Sequence, residues 1–311
     1  MKRTALAILV LLSINLSAIW AEEPSANVGG VRYVKAPRFA RPLVEKWITE
    51  YAKTQSDVKF QIAQGNRNQD NIDLNVVFDN QDTKPEDFSH TVVYIGEFAV
   101  LPVTASGSEA AKVLEGKHLN SKKLKQLYFF NDDFDEDTNK NVQFEKLVVY
   151  SGSNATSVAS SFARNFGVEN SSFRGRRISG DDLFLNTALK KDPLGVSFNA
   201  LPNIFDLQSR HLKSDLTIIG LDVKKRIKDN FSDDATLDEL IATLEKDKVQ
   251  EVAVEKIGVS FDPTDDAVNQ FLLWVLTTGT KYNHEFGLLN LDNNVAQVQI
   301  DNVRNILTAQ K

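Results

Sequence analysis

The chain has 311 residues, 42% of them hydrophobic and 25% charged, a composition that excludes a disordered or fibrous protein and provides for a substantial core. Its 42 acidic residues against 36 basic ones give a formal charge of −6, which excludes nonspecific binding to nucleic acid or anionic lipid as its function but leaves room for a small anion held by local backbone dipoles. There is no cysteine, so neither a disulfide framework nor a cysteine-linked lipid anchor is available.

Lys2 and Arg3 precede an apolar run, Ala5 to Ala18, broken only by Ser13, Asn15 and Ser17, and small residues stand at Ala18 and Ala21. This pattern predicts a secretory signal peptide over residues 1–21, cleaved after Ala21 or after Ala18. The apolar part is shorter than the roughly 20 residues that a membrane helix needs. A buried amino-terminal helix is the alternative. Cleavage after Ala21 would leave 290 of the 311 residues and, without Lys2 and Arg3, a charge of −8 in place of −6. The expected location is the periplasm.

The remainder reads as alternating strands and helices. Val31 to Val34 is a short strand, followed by a helix over Phe39 to Lys53 with the apolar stripe Leu43, Trp47, Ile48 and Tyr51. Val58 to Ile62 and Ile72 to Phe78 are predicted strands around a polar loop, and Thr91 to Val103 suits a long buried crossing strand. A helix over Ser121 to Phe129 is capped by Asn120 or Ser121, and an acidic loop spans Asn131 to Asn141. Leu147 to Tyr150 is a strand whose small-residue loop, Ser151 to Ser157, opens a helix ending at Phe166 with Gly167 as its cap. Helices follow at Asp182 to Lys190 and Leu237 to Leu244, and strands at Gly195 to Asn199, Thr217 to Leu221 and Ile257 to Phe261. Thr264 is expected to cap an amphipathic helix that stops near Gly279, and Asn294 to Leu307 forms the last helix. The alternation predicts an α/β fold with mixed, largely parallel sheets.

Three segments, in this order, resemble the phosphate-binding periplasmic proteins of ABC importers. They are Val31–Leu43 with Glu45-Lys46-Trp47, then Ile95-Gly96 through Leu101-Pro102-Val103 with Leu119 to Phe129, and lastly Phe271 to Gly279 with Lys281-Tyr282 and Phe286 to Leu291. Gly195-Val196-Ser197-Phe198 is similar to that family's short glycine-containing strand. The resemblance implies a two-lobed periplasmic-binding-protein fold of type II with a hinged interlobe cleft. Lobe one would be residues 28–98 plus 258–311, and lobe two residues 99–257. It further implies capture of a small oxyanion, phosphate above all, for delivery to an ABC transporter permease, without covalent chemistry or a cofactor.

In such a cleft, oxyanions are held by the free N–H groups of helix amino termini, with hydroxyls as further donors. The best local candidate is the loop from Ser151 to Ser157, which contributes Ser153, Thr156 and Ser157; alignment through Phe162 sets Thr156 and Ser157 on the family's Ser-Gly-Thr loop. The alternative is that Thr156 or Ser157 merely caps the helix. Asn154-Ala155-Thr156 also fits an N-glycosylation sequon. A second candidate is Ala36-Pro37-Arg38-Phe39, where Arg38 and Arg41 enter a first helical turn that disfavours cations by about 0.3–1 kcal/mol each. Arg38 could grip an anion through its guanidinium fork, or pair with an acid on the surface. The chain departs from the family at two points: the arginine ahead of the Ser-Gly-Thr loop falls near Gly152, and the proton-accepting acid falls at Phe78, with Asp79 one residue on. Arg174-Gly175-Arg176-Arg177 could replace that arginine, or form a solvated face.

No nucleophile–base–acid arrangement can be read, so no enzyme is expected. The histidines at 90, 118, 211 and 284 lack metal-ligand spacing, and Asp133, Asp135, Asp137 and Asn139 imitate only the start of a calcium loop, with Thr138 where glycine belongs. A repurposed relative without phosphate binding, serving as a structural, adhesive or sensor component outside the cytoplasm, is the alternative function.

Overall fold

Val31–Lys35 forms strand β1, and Lys59–Ile62 (β2) and Leu74–Phe78 (β3) lie parallel to it on either side. Between β1 and β2 the chain passes through a 3-10 turn, Arg38–Ala40, and helix α1, Arg41–Tyr51. That helix buries Leu43, Trp47 and Tyr51 of the expected stripe together with Val44, while Ile48 is only half-buried. The protein was obtained as a computed structural model that describes residues 30–54, 58–64, 72–78, 91–130, 144–154 and 157–309. The expected signal peptide, the acidic loop with its calcium-like spacing, His90, Asp79 and Thr156 lie outside the described residues.

Strand β4, Thr91–Ala105, organises the rest. Its first part pairs antiparallel with β9, Ala253–Phe261, its second part with β7, Gly195–Ala200, and its end with β8, Leu216–Ile218. Beyond β7 come β5, Val148–Gly152, and β6, Arg176–Ile178, both in parallel pairing. The sheet therefore runs β2-β1-β3-β9-β4-β7-β5-β6, with β8 also on β4. It is a mixed sheet, as expected, with parallel pairing confined to its two outer groups. At the centre β9 pairs antiparallel with both β3 and β4, and β4 with β7.

Helices α2 (Glu109–Leu114), α3 (Ser121–Tyr128), α4 (Ala159–Asn165), α5 (Leu183–Lys191), α6 (Leu201–Ile204), α7 (Leu237–Leu244), α8 (Asp266–Thr277) and α9 (Asn293–Ala309) complete the fold. Two aromatic clusters anchor the two outer strand groups. Phe60 stacks on Phe271 at 4.2 Å beside Tyr51, and Phe162 stacks on Phe198 at 4.2 Å beside Tyr128 and Phe173. Gly96 interrupts β4 at a bulge, where a Cβ would lie 2.7 Å from the Leu289 carbonyl and 2.9 Å from the Asn283 amide. Glu97 and Leu289 exchange both backbone hydrogen bonds there, so the Asn283–Asn290 segment is fastened to the middle of β4.

Several expectations need adjustment. The cap of α8 is Asp265, whose carboxylate accepts the N–H groups of Ala267 and Val268, while the Thr264 hydroxyl donates to Asp262 instead. Strand β9 begins at Ala253, four residues ahead of the expected Ile257, because pairing with Val100 to Glu97 extends it through polar positions. Helix α2, capped by Ser108, and strand β6 were not anticipated.

Candidate ligand-binding site

The chain leaves β1 at Lys35 and β5 at Gly152, and the residues that follow each end contact the stretch of residues 178–182 at the end of β6. After β1, Pro37 sets up the 3-10 turn, and Arg38 projects with 59% of its side chain exposed. Its Nε lies 3.8 Å from the Asp181 carboxylate, which belongs to the stretch between β6 and α5. Arg38 thus spans two parts of the chain that are remote in sequence. Arg41 does not join it: its guanidinium turns back to donate to the Ala36 carbonyl at 3.2 Å.

Phe39 is a core residue. Its ring packs 5.9 Å from Phe78 and 5.4 Å from Phe98, and those two are 4.6 Å apart. The backbone of Phe39, not its ring, is what could serve a ligand.

On the β5 side the loop is packed against residues 178–182. Ser153 donates through its backbone and its hydroxyl to the Ile178 carbonyl, at 2.9 and 3.2 Å, and remains exposed. Asn154 donates its amide to the Gly180 carbonyl at 2.8 Å. Ser157 is only 2% exposed, and its hydroxyl donates to Asp182 at 2.5 Å. The other Asp182 oxygen accepts the Val158 N–H at 3.0 Å. The start of α4, where an oxyanion was expected, therefore already holds a carboxylate of the same chain. Gly152 makes this possible, since a Cβ there would fall 2.0 Å from the Ser157 oxygen.

Asp182 stands just before α5 yet makes no side-chain cap to that helix; Asp181 accepts the Leu183 N–H in its place, at 2.8 Å. Below them the Asn199 amide donates to the Asp182 carbonyl at 2.8 Å and to the Asn186 side chain at 3.1 Å, which fixes the backbone carrying both acids. Burial pushes the Asp182 carboxyl above its ordinary range, with Asp181 adding to the rise, while the donors on Ser157 and Val158 pull the other way. The site thus combines an exposed guanidinium, a salt-bridged acid and a second, buried acid that takes up a proton more readily than an ordinary aspartate.

Asp181 and Asp182 were missed as site residues because one acid suffices to cap a helix, and Asp182 was read as the start of α5. A second acid beside it was the available signal. The Arg174–Arg177 run does not supply the missing arginine. Arg174 donates to the carbonyls of Leu127 and Phe144, Arg176 to the Tyr150 hydroxyl and Arg177 to Asn170. Among the described residues no group of three acidic or histidine side chains could hold a metal ion, and no helix is long and apolar enough to cross a membrane.

No protein-family model matches the sequence, and no curated protein does. Solved structures do resemble it. A Clostridium perfringens protein assigned as a phosphate ABC transporter substrate-binding protein, with phosphate bound, superposes with a TM-score of 0.59 at 10% identity, over 85% of this chain and 100% of that one. An ABC-type phosphate transport receptor from Vibrio cholerae gives 0.55 at 10% identity, over 84% of this chain and 100% of that one. At 10% identity such a likeness establishes architecture and leaves the ligand to be argued from the site. The chain has a mixed α/β fold built on one curled mixed sheet, matching these periplasmic-binding-protein-like structures.

Proposed function

We propose that the protein is an exported solute-binding protein that captures a small oxyanion, phosphate first, for the permease of an ABC importer. In this reading residues 1–21 are removed on export to the periplasm, and lobes of residues 28–98 plus 258–311 and 99–257 close over the guest. The observation that carries it is that Arg38, beyond the end of β1, lies 3.8 Å from Asp181, whose neighbour Asp182 holds Ser157 beyond the end of β5. Arg38 supplies the positive charge. Asp182 takes the part of proton acceptor that was sought at Asp79, so a guest that still carries a proton is preferred over sulfate, which carries none at neutral pH. Ser153, Thr156, Ser157 and the Phe39 backbone supply donors once the Ser157–Asp182 bond opens.

The test is thermal unfolding of the mature protein with phosphate, sulfate, molybdate and phosphonates. Phosphate at 100 times its dissociation constant adds about 2.7 kcal/mol, an upward shift of several degrees for a chain of this size. No shift with any of the four sinks the oxyanion reading.

A second reading, a repurposed relative that no longer binds phosphate, is favoured by one observation: Asp182 already uses the hydroxyl of Ser157 and the N–H of Val158. Native mass spectrometry separates the two. A phosphate-sized adduct on gently purified protein counts against the repurposed relative.

A further inference from the structure

A separate concavity lies where β4 ends, between α2 with its following turn and β8, and shares no residue with the Arg38–Asp182 region. Its volume is about 380 Å3, inside the range of roughly 300–1,000 Å3 usual for small-molecule sites. Leu114, Ile218 and Ile219, all buried, give it an aliphatic floor. Gly107 and Gly116 also line it, both at φ +68, and no atom lies within 4 Å of a Cβ built on either. Space is therefore open beside both turns that flank α2. No Phe, Tyr or Trp lines the space, so a flat ring would find nothing to stack on.

Lysines dominate the charged lining. Lys112, Lys117 and His118 stand against a single acid, Glu115. The Lys117 ammonium donates to the Val113 carbonyl, which fixes that charge beside the last turn of α2. The Leu119 N–H donates to the Gly220 carbonyl at 2.9 Å, and the Asp222 N–H to the Leu119 carbonyl at 3.0 Å. These bonds bring the stretch with Lys122, Lys123 and Lys125 beside the one with Lys224, Lys225 and Lys228. Asp222 and Asp229 lie within these stretches and Asp247 pairs with Arg226, so acids offset part of this charge.

We propose that this pocket binds a small aliphatic carboxylate, with its chain on Leu114, Ile218 and Ile219 and its head among Lys112, Lys117 and His118. An aliphatic floor rewards an apolar body by area, and the surrounding cations select the sign of its head group.

The experiment is calorimetric titration of the full mature protein with octanoate, with octylamine and with phosphatidylglycerol vesicles, each with and without phosphate. Two variants accompany the wild type. Lys112→Glu reverses an exposed charge, and Ala111→Leu fills the space from α2. Octanoate is expected to bind one to one, and equally with or without phosphate. Lys112→Glu weakens it about five-fold or more, and Ala111→Leu about ten-fold or more. Octylamine and vesicles give no heat. Absence of octanoate binding at millimolar concentration overturns the proposal, as does equal binding of octylamine or unchanged affinity in Lys112→Glu. Vesicle binding without octanoate binding also overturns it and points to a membrane surface. Should Ala111→Leu fail to fold, Lys112→Glu and the octylamine arm decide alone. Failure of phosphate to bind elsewhere leaves each of these readouts unchanged.

Discussion

Asp182 binds the beginning of a helix to which it does not belong, and its energetics follow from that placement. Burial makes its folded form hold a proton more tightly than the unfolded chain does. Stability from this group is therefore complete below the ordinary aspartate pKa and is lost as pH rises through the elevated folded value. Asp182→Asn removes the buried charge and retains an acceptor for the Val158 N–H. Its melting temperature relative to wild type should be highest at pH 7–8 and the advantage should shrink towards pH 4, as read by calorimetry across that range. A constant difference would show that the carboxylate does not titrate in this way. Gly152 is the companion test. A methyl group 2.0 Å from the Ser157 oxygen has to displace it, so Gly152→Ala should destabilise by about 1–3 kcal/mol in denaturant unfolding. Arg38 and the Ser151–Ser157 loop stand out in the sequence as candidates because each breaks or satisfies a local helix rule. Asp182 was not, because its partners lie 24 and 25 positions away and no local rule reports a bond of that span.

Elements were legible to the extent that their signals are periodic. The stripe of α1, the cap of α3 at Asn120 and the left-handed Gly167 after α4 all stand where spacing and composition placed them. Strand β6 escaped because three residues of mostly charged sequence carry no alternation, and its definition comes from its partner β5. The start of α8 depends on geometry of the same indirect kind. Thr264 and Asp265 are both good caps by type; Asp265 takes the position and also receives the Arg32 guanidinium at 2.6 Å. Asp265→Ala should therefore cost about 0.5–2 kcal/mol for the lost cap, whereas Thr264→Ala should stay within about 0.5 kcal/mol. Paired chemical-denaturation curves measure the contrast, and equal losses would reassign the cap.

For the whole molecule, β4 sets the degree of cooperativity. Val100 pairs with Ala253 of β9 and also with Ala200 of β7, so neither outer strand group can come apart without stripping a strand from the other. A single calorimetric transition is expected, with calorimetric and van't Hoff enthalpies equal; two resolved peaks would mean independent halves. The collinear resemblance made the fold class readable at this scale. The ligand was not readable, because the bonds that engage Ser157 and Asp182 join positions 25 residues apart.

Gly96 has a consequence for how any such halves could rock. Carbonyl and amide atoms crowd the spot where its side chain would stand, and Asn283 donates from there to the Ile95 carbonyl at 2.9 Å. The crossing strand is thereby pinched against the Asn283–Asn290 segment at one point, like a leaf clipped to its stem. If two halves do swing, this pinch is a fixed point for them, and even a methyl at position 96 would pry the clip open.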